Sequence, residues 1–134
     1  MDITAIIIEK GMKQIQCAGA NNSLMLIRDG ELIQYKADNM PIGIYDKADK
    51  PFTNYKFNYE EGDVFYLFTD GFPDQFGGPL GKKFLTKNFK KKLIDVHRLP
   101  MEDQKKELEE VLDQWMADTS QIDDILVMGI RGLQ

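Results

Sequence analysis

The sequence predicts an α+β domain in which antiparallel β-structure comes first, two helices follow and cover one face of the sheet, and a single strand closes the chain. Three observations carry this. Residues 2–68 hold short apolar or alternating runs separated by turn residues. Residues 84–115 change to a helical period. Residues 125–130 then return to a short β-branched apolar run. With 134 residues, 43% hydrophobic and 29% charged, the chain has the composition of one ordinary soluble domain.

The elements follow in order. Residues 3–8 form an apolar run rich in isoleucine, ended by the Lys10-Gly11 turn. Residues 14–18 alternate, and Asn21-Asn22 interrupts before the run at 24–28. Asp29-Gly30 is the strongest hairpin signal, because a type I′ turn needs positive φ at both central residues. It leads into residues 31–35, after which Pro41, Gly43 and Pro51 punctuate a connecting stretch. Residues 55–59 alternate, as a half-covered strand does, whereas 64–68 are all apolar, as in a strand buried on both faces. The short Glu60-Glu61-Gly62-Asp63 link predicts that these two strands pair. Phe84, Leu85, Phe89, Leu93 and Val96 mark the buried stripe of a first helix. Pro100, Glu102 and Asp103 suit the start of a second, whose stripe is Leu108, Val111, Leu112 and Trp115.

The net charge of −5 argues against a nucleic-acid partner, since phosphate-backbone binders present basic surfaces. The one basic cluster, Lys82 and Lys83 with Lys87, Lys90, Lys91 and Lys92, reads first as the solvated face of an amphipathic helix, with a local anion-facing patch as the alternative. A lone cysteine, Cys17, lies in an alternating run and is expected as a small buried hydrophobe. No stretch is long and apolar enough to span or anchor in a membrane, and the expected location is the cytoplasm, alone or as the cytoplasmic domain of a larger sensor.

Thr69-Asp70-Gly71 leaves the apolar run 64–68, and Asp123-Asp124 precedes the last one. Carboxylates at the ends of two strands are the donors that a hard divalent cation such as Mg²⁺ or Mn²⁺ takes. A glycine after Asp70 permits a sharp turn where a ligand approaches. The bland alternative is that Asp70-Gly71 and Asp123-Asp124 are ordinary turns. Gly77-Gly78-Pro79-Leu80-Gly81 reads as a mobile loop beside the first pair. His97, the only histidine, suits a loop or capping role between the helices. No side chain stands in a recognisable nucleophile motif, so a metal-activated water is the better attacking group.

At these residues the chain resembles the metal-dependent protein phosphatases (PPM), in the branch of stage II sporulation protein E and the sigma-factor regulator phosphatases. Cys17-Ala18-Gly19-Ala20-Asn21-Asn22 resembles the family's AG-x-N segment, Arg28-Asp29-Gly30-Glu31-Leu32 its hairpin, and Met40-Pro41-Ile42-Gly43 its PLG segment. Glu61-Gly62-Asp63 with Thr69-Asp70-Gly71 resembles its GD…TDG, and Asp123-Asp124-Ile125 its terminal DD strand. The resemblance implies a PPM-type β-sandwich and hydrolysis of phosphoserine or phosphothreonine by a water held between two Mn²⁺ or Mg²⁺ ions, with no catalytic side chain of its own. It implies that Asp70 and Asp123 ligate one metal, with Gly71 and Asp124 beside them; Asp74 matches a commonly acidic position that is not a ligand.

The same resemblance implies a bacterial signalling phosphoprotein as partner, such as an anti-anti-sigma-type regulator. The family's bridging Asp-Gly pair, which precedes these motifs, has no counterpart here. Residues 1–134 are therefore expected to be a C-terminal portion of the domain, inactive alone, whose apolar edge is covered in a homodimer or by rearrangement. A monodisperse monomer in solution scattering would count against that assembly. The alternative function is a non-catalytic, phosphatase-like domain that docks a signalling partner.

Overall fold

In the computed structural model, which describes residues 1–43 and 50–132, the chain forms two units. One is Met1–Phe68 with the chain from Met128 onward; the other is Thr69–Val127. Part of the connecting stretch between Pro41 and Pro51 lies outside the described residues.

The first unit holds β1 (Ile3–Glu9), β2 (Gln14–Ala20), β3 (Leu24–Arg28), β4 (Glu31–Tyr35), β5 (Tyr55–Asn58), β6 (Val64–Phe68) and β9 (Val127–Arg131). They make two sheets, ordered β1-β2-β5 and β4-β3-β6-β9. Asp29 and Gly30 both adopt positive φ, 51° and 82°, and close the β3–β4 hairpin as the Asp-Gly pair predicts. The pairing of β5 corrects the sequence reading. β5 lies against β2, with Gln14 opposite Asn58 and Cys17 opposite Tyr55, whereas β6 lies against β3, with Met25 opposite Tyr66. The 60–63 turn therefore carries the chain from one sheet to the other rather than closing a hairpin.

The core of this unit lies between the sheets. Ile15 and Cys17 of β2 meet Leu24 and Leu26 of β3 and Phe65 of β6, with Tyr59 beside them. Each large apolar side chain buried this way contributes roughly 1.5–3 kcal/mol. Tyr35 and Phe57 stack across the sheets with centroids 4.0 Å apart. Cys17 is buried as expected, and burial pushes its thiol up to about 11. Where β5 gives way to β6, Arg28 grips Asp63 through two hydrogen bonds, Nε to Oδ1 at 2.9 Å and Nη2 to Oδ2 at 2.7 Å. Glu60 N–H donates to the same carboxylate at 2.8 Å, so Asp63 is buried but fully engaged.

The second unit holds α1 (Gly71–Asp74), the two-residue strands β7 (Phe76–Gly77) and β8 (Lys82–Lys83), α2 (Thr86–Val96) and α3 (Met101–Met116). Phe72 of α1 is ringed by Phe84 and Phe89, with centroids 5.3 and 4.8 Å away, and Phe84 meets Trp115 of α3 edge to face at 5.4 Å. The two long helices are joined by a Lys92–Glu107 ion pair at 2.6 Å. Buried Gln104 adds to this join by donating to the carbonyls of His97 and Leu99. His97 sits at the end of α2 with Nδ1 on the Ile94 carbonyl, the capping place expected of it.

Three expectations change in this unit and at its border. Leu85 is not part of the buried stripe: α2 begins at Thr86, and Leu85 is exposed just before it. The 77–81 stretch is an ordered hairpin rather than a free loop, because β7 pairs β8 and Gly78 N–H donates to the Trp115 carbonyl at 2.8 Å. A side chain at Gly77 would collide with that carbonyl at 1.9 Å. Finally, the last strand starts at Val127 rather than at residue 125, and it is half exposed. Among the described residues no helix is long and apolar enough to cross a membrane.

Candidate functional site

The candidate site grows from the point where β6 ends. Thr69 N–H donates to the Leu126 carbonyl at 3.0 Å, and its hydroxyl donates to the Asp124 carbonyl at 2.8 Å while accepting from Leu126 N–H at 3.0 Å. One threonine thus ties the TDG turn to the segment that carries Asp123 and Asp124. Gly71 completes the contact. A β-carbon there would lie 2.2 Å from the Asp124 carbonyl oxygen, so only glycine permits the two backbones to approach this closely. The two acidic segments, 53 residues apart between Asp70 and Asp123, are in backbone contact.

The side chains on this scaffold remain free for a ligand. Asp70 occupies the N-cap position of α1, and its carbonyl accepts from Asp74 N–H at 2.9 Å, yet its carboxylate makes no capping hydrogen bond. It is exposed, as are Asp123 and Asp124. Asp123 Oδ1 accepts from Asp124 N–H at 2.7 Å, and Gln121 Nε2 fixes the Asp123 carbonyl at 2.7 Å. Asp74 differs: its carboxylate is paired with Lys83 at 3.1 Å.

Exposed carboxylates with free oxygens are the donors a hard divalent cation takes, so Asp70 and Asp123 fit such an ion in kind. In number they fit part of a site. Among the described residues, no group of three or more His, Cys, Asp or Glu side chains is gathered for a metal.

Two contributors escaped the sequence reading. Thr69 is visible there only as the first letter of its motif. Gln75 gives no sequence signal at all, yet it is fully buried, with Nε2 donating to the Phe76 and Ser120 carbonyls at 3.0 Å each. Its own carbonyl accepts from Trp115 Nε1 at 3.0 Å and Phe84 N–H at 2.9 Å. Gln75 therefore links α1, the β7–β8 hairpin and α3 to the start of the segment that leads to Asp123.

Comparison with known proteins identifies the family and the fold. The family described as Stage II sporulation protein E (SpoIIE) matches residues 2–132. No curated protein matches the chain. Among solved structures, the SiaA-PP2C domain of Pseudomonas aeruginosa superposes with a TM-score of 0.86 at 29% identity, over 98% of this chain and 51% of that one. The phosphatase domain of the cell fate determinant SpoIIE from Bacillus subtilis, presoaked in Mn, gives 0.71 at 18% identity, over 98% and 56%. The serine/threonine phosphatase PstP/Ppp of Mycobacterium tuberculosis shares the fold at 0.57 and 16% identity, over 94% and 57%. The chain spans about half the length of these solved relatives. The mixed α+β architecture with antiparallel sheets is theirs, and by the match over nearly its whole length this chain belongs to the stage II sporulation protein E family of PP2C-type phosphatase domains.

Proposed function

We propose that the chain is part of a metal-dependent protein serine/threonine phosphatase in which Asp70 and Asp123 hold a divalent cation, Mn²⁺ or Mg²⁺. The observation that carries this is the contact of Gly71 with the Asp124 backbone, which sets two exposed acidic turns side by side in a phosphatase-family fold. When bound, the cation supplies Lewis-acid activation of water and neutralises phosphoryl charge. The chain's own residues provide position. Thr69 and Gly71 fix the main chain beneath the carboxylates, and α1 leaves Asp70 uncommitted. Water, phosphoryl oxygens and any further protein ligands would complete the coordination.

The substrate class, a phosphoserine or phosphothreonine protein in bacterial signalling, is supported by the relatives: one is a serine/threonine phosphatase and another a cell fate determinant. The test is Mn²⁺-dependent hydrolysis of p-nitrophenyl phosphate together with Mn²⁺ binding by calorimetry, comparing wild type with Asp70→Asn in the longest natural protein. Loss of roughly a hundredfold in rate with weaker Mn²⁺ binding and an unchanged circular-dichroism spectrum is expected. Substantial surviving turnover sinks the assignment of Asp70.

A further inference from the structure

Leu85 stands in a conformation that its side chain does not favour. Its backbone has φ 77° and ψ 140°, near a region reserved almost wholly for glycine. The main chain is pinned there from both sides. Leu85 N–H donates to the Pro73 carbonyl at 2.7 Å, and its own carbonyl accepts from Asn88 and Phe89 N–H at 3.1 Å each. A glycine would satisfy the same bonds without strain, yet the position carries a large apolar side chain that is 55% exposed. Leu80, at the tip of the β7–β8 hairpin, is 76% exposed.

Charge marks the same corner. Residues 82–92 hold six lysines and no acidic residue in a chain of net charge −5. Lys83 and Lys92 are spent on Asp74 and Glu107. Lys82, Lys87 and Lys91 are exposed, the last two one turn apart on α2. The corner is wired to the candidate site, since Leu85 bonds Pro73 of α1, Lys83 bonds Asp74, and α1 starts directly after Asp70.

We infer that the strand–helix corner formed by Leu80, Lys82, Leu85, Lys87 and Lys91 is a docking surface for an acidic protein segment bearing an apolar anchor. The charge complementarity names the chemistry of the occupant: its carboxylates meet the three free lysines, and its apolar side chain meets the leucines. That the segment belongs to the phosphoprotein substrate rests on the phosphatase reading above; the surface itself does not. Docking here would bring an anionic partner to a protein whose overall charge repels it, next to the turn that carries Asp70.

The test measures fluorescence anisotropy of a labelled phosphoserine peptide rich in Asp and Glu with a central Leu, against a control in which Lys replaces each acid. Emission of Trp115, the only tryptophan, on which the hairpin rests, gives a second signal. The acidic peptide should bind at least roughly tenfold more tightly than the control, lose affinity as salt rises, and lose it by a similar factor with Lys82→Glu, Lys87→Glu and Lys91→Glu combined. Leu85→Gly should cut affinity severalfold while Tm stays level or rises, a split that a packing role does not produce.

Equal binding of the two peptides, an unaffected triple variant, a Tm lowered by Leu85→Gly, or tighter binding to anionic lipid vesicles than to the peptide overturns the proposal. Selective peptide binding without Asp70-dependent hydrolysis breaks the phosphatase reading and leaves the docking surface standing. Asp70-dependent hydrolysis without selective binding does the reverse.

Discussion

Asp63 and Asp70 lie seven residues apart, on either side of β6, and they meet opposite fates. Asp63, in the sandwich unit, is buried under Arg28, which meets it with two hydrogen bonds while the Glu60 N–H supplies a third. That pairing pushes the Arg28 pKa up, chiefly through the hydrogen bond from the guanidinium to Asp63. Asp70, in the helical unit, stands exposed at a helix start and caps nothing. The difference teaches how this chain separates structural from available charge. A carboxylate that holds the fold together is surrounded by donors. The carboxylate proposed to take a ligand has its backbone clamped, by Thr69 and Gly71, and stands exposed.

The sharpest way to break this contrast is Asp63→Ala. Arg28 keeps Glu60 and the Asn58 carbonyl, but the charge-assisted bonds to Asp63 and the one from Glu60 N–H are lost, and about 2–3 kcal/mol of stability should go with them, read as a fall in the urea midpoint. An effect no larger than that of Asp70→Asn would erase the distinction between the two residues. Thr69→Val comes next. It removes two hydrogen bonds worth about 1 kcal/mol each. Amide exchange should quicken at Leu126, whose N–H donates to the lost hydroxyl, while the β3 and β6 amides keep their protection. Uniform acceleration would mean that the clamp is part of global stability and not a local device.

The smallest effect sharpens the sandwich side. The Cys17 thiol is held up to about 11 from an ordinary 9.0 because it is buried. The unfolded chain therefore loses its proton first as pH rises. Stability is whole below about pH 9 and declines until the folded thiol itself titrates, on the order of 1 kcal/mol by pH 10. Tyr66, raised to about 12 by burial, extends the same trend at higher pH. Denaturation midpoints of wild type and Cys17→Ala between pH 8 and 10.5 check this, and parallel curves would contradict it.

Much of this was legible in the residues. Asp29-Gly30 announced its turn because positive φ at two successive positions is a local requirement, met by few residue types. The two acidic turns could be found because glycine and carboxylate next to an apolar run is a local pattern too. The exchange of β5 and β6 between sheets was not legible: the partner of β5 is β2, some forty residues earlier, and alternation tells which face is buried but not against what. Leu85 misled for a related reason. Helical spacing continued two residues past the true start of α2, through Leu85 to Phe84, and nothing in an apolar residue declares the backbone conformation that turns it outward. Gln75 is silent because a buried polar residue is recognised by its partners, which here come from Ser120, Trp115 and Phe84.

The clamp at Thr69 closes a loop of more than fifty residues that contains α1, α2 and α3. Closing so long a loop costs chain entropy that local interactions recover only once those helices have packed. Site closure is for this reason expected to follow helix packing, in step with the β6–β9 pairing that closes nearly the same loop. Any ligand that binds the Asp70 and Asp123 segments together draws on the same closure, so occupancy and local folding become one thermodynamic quantity.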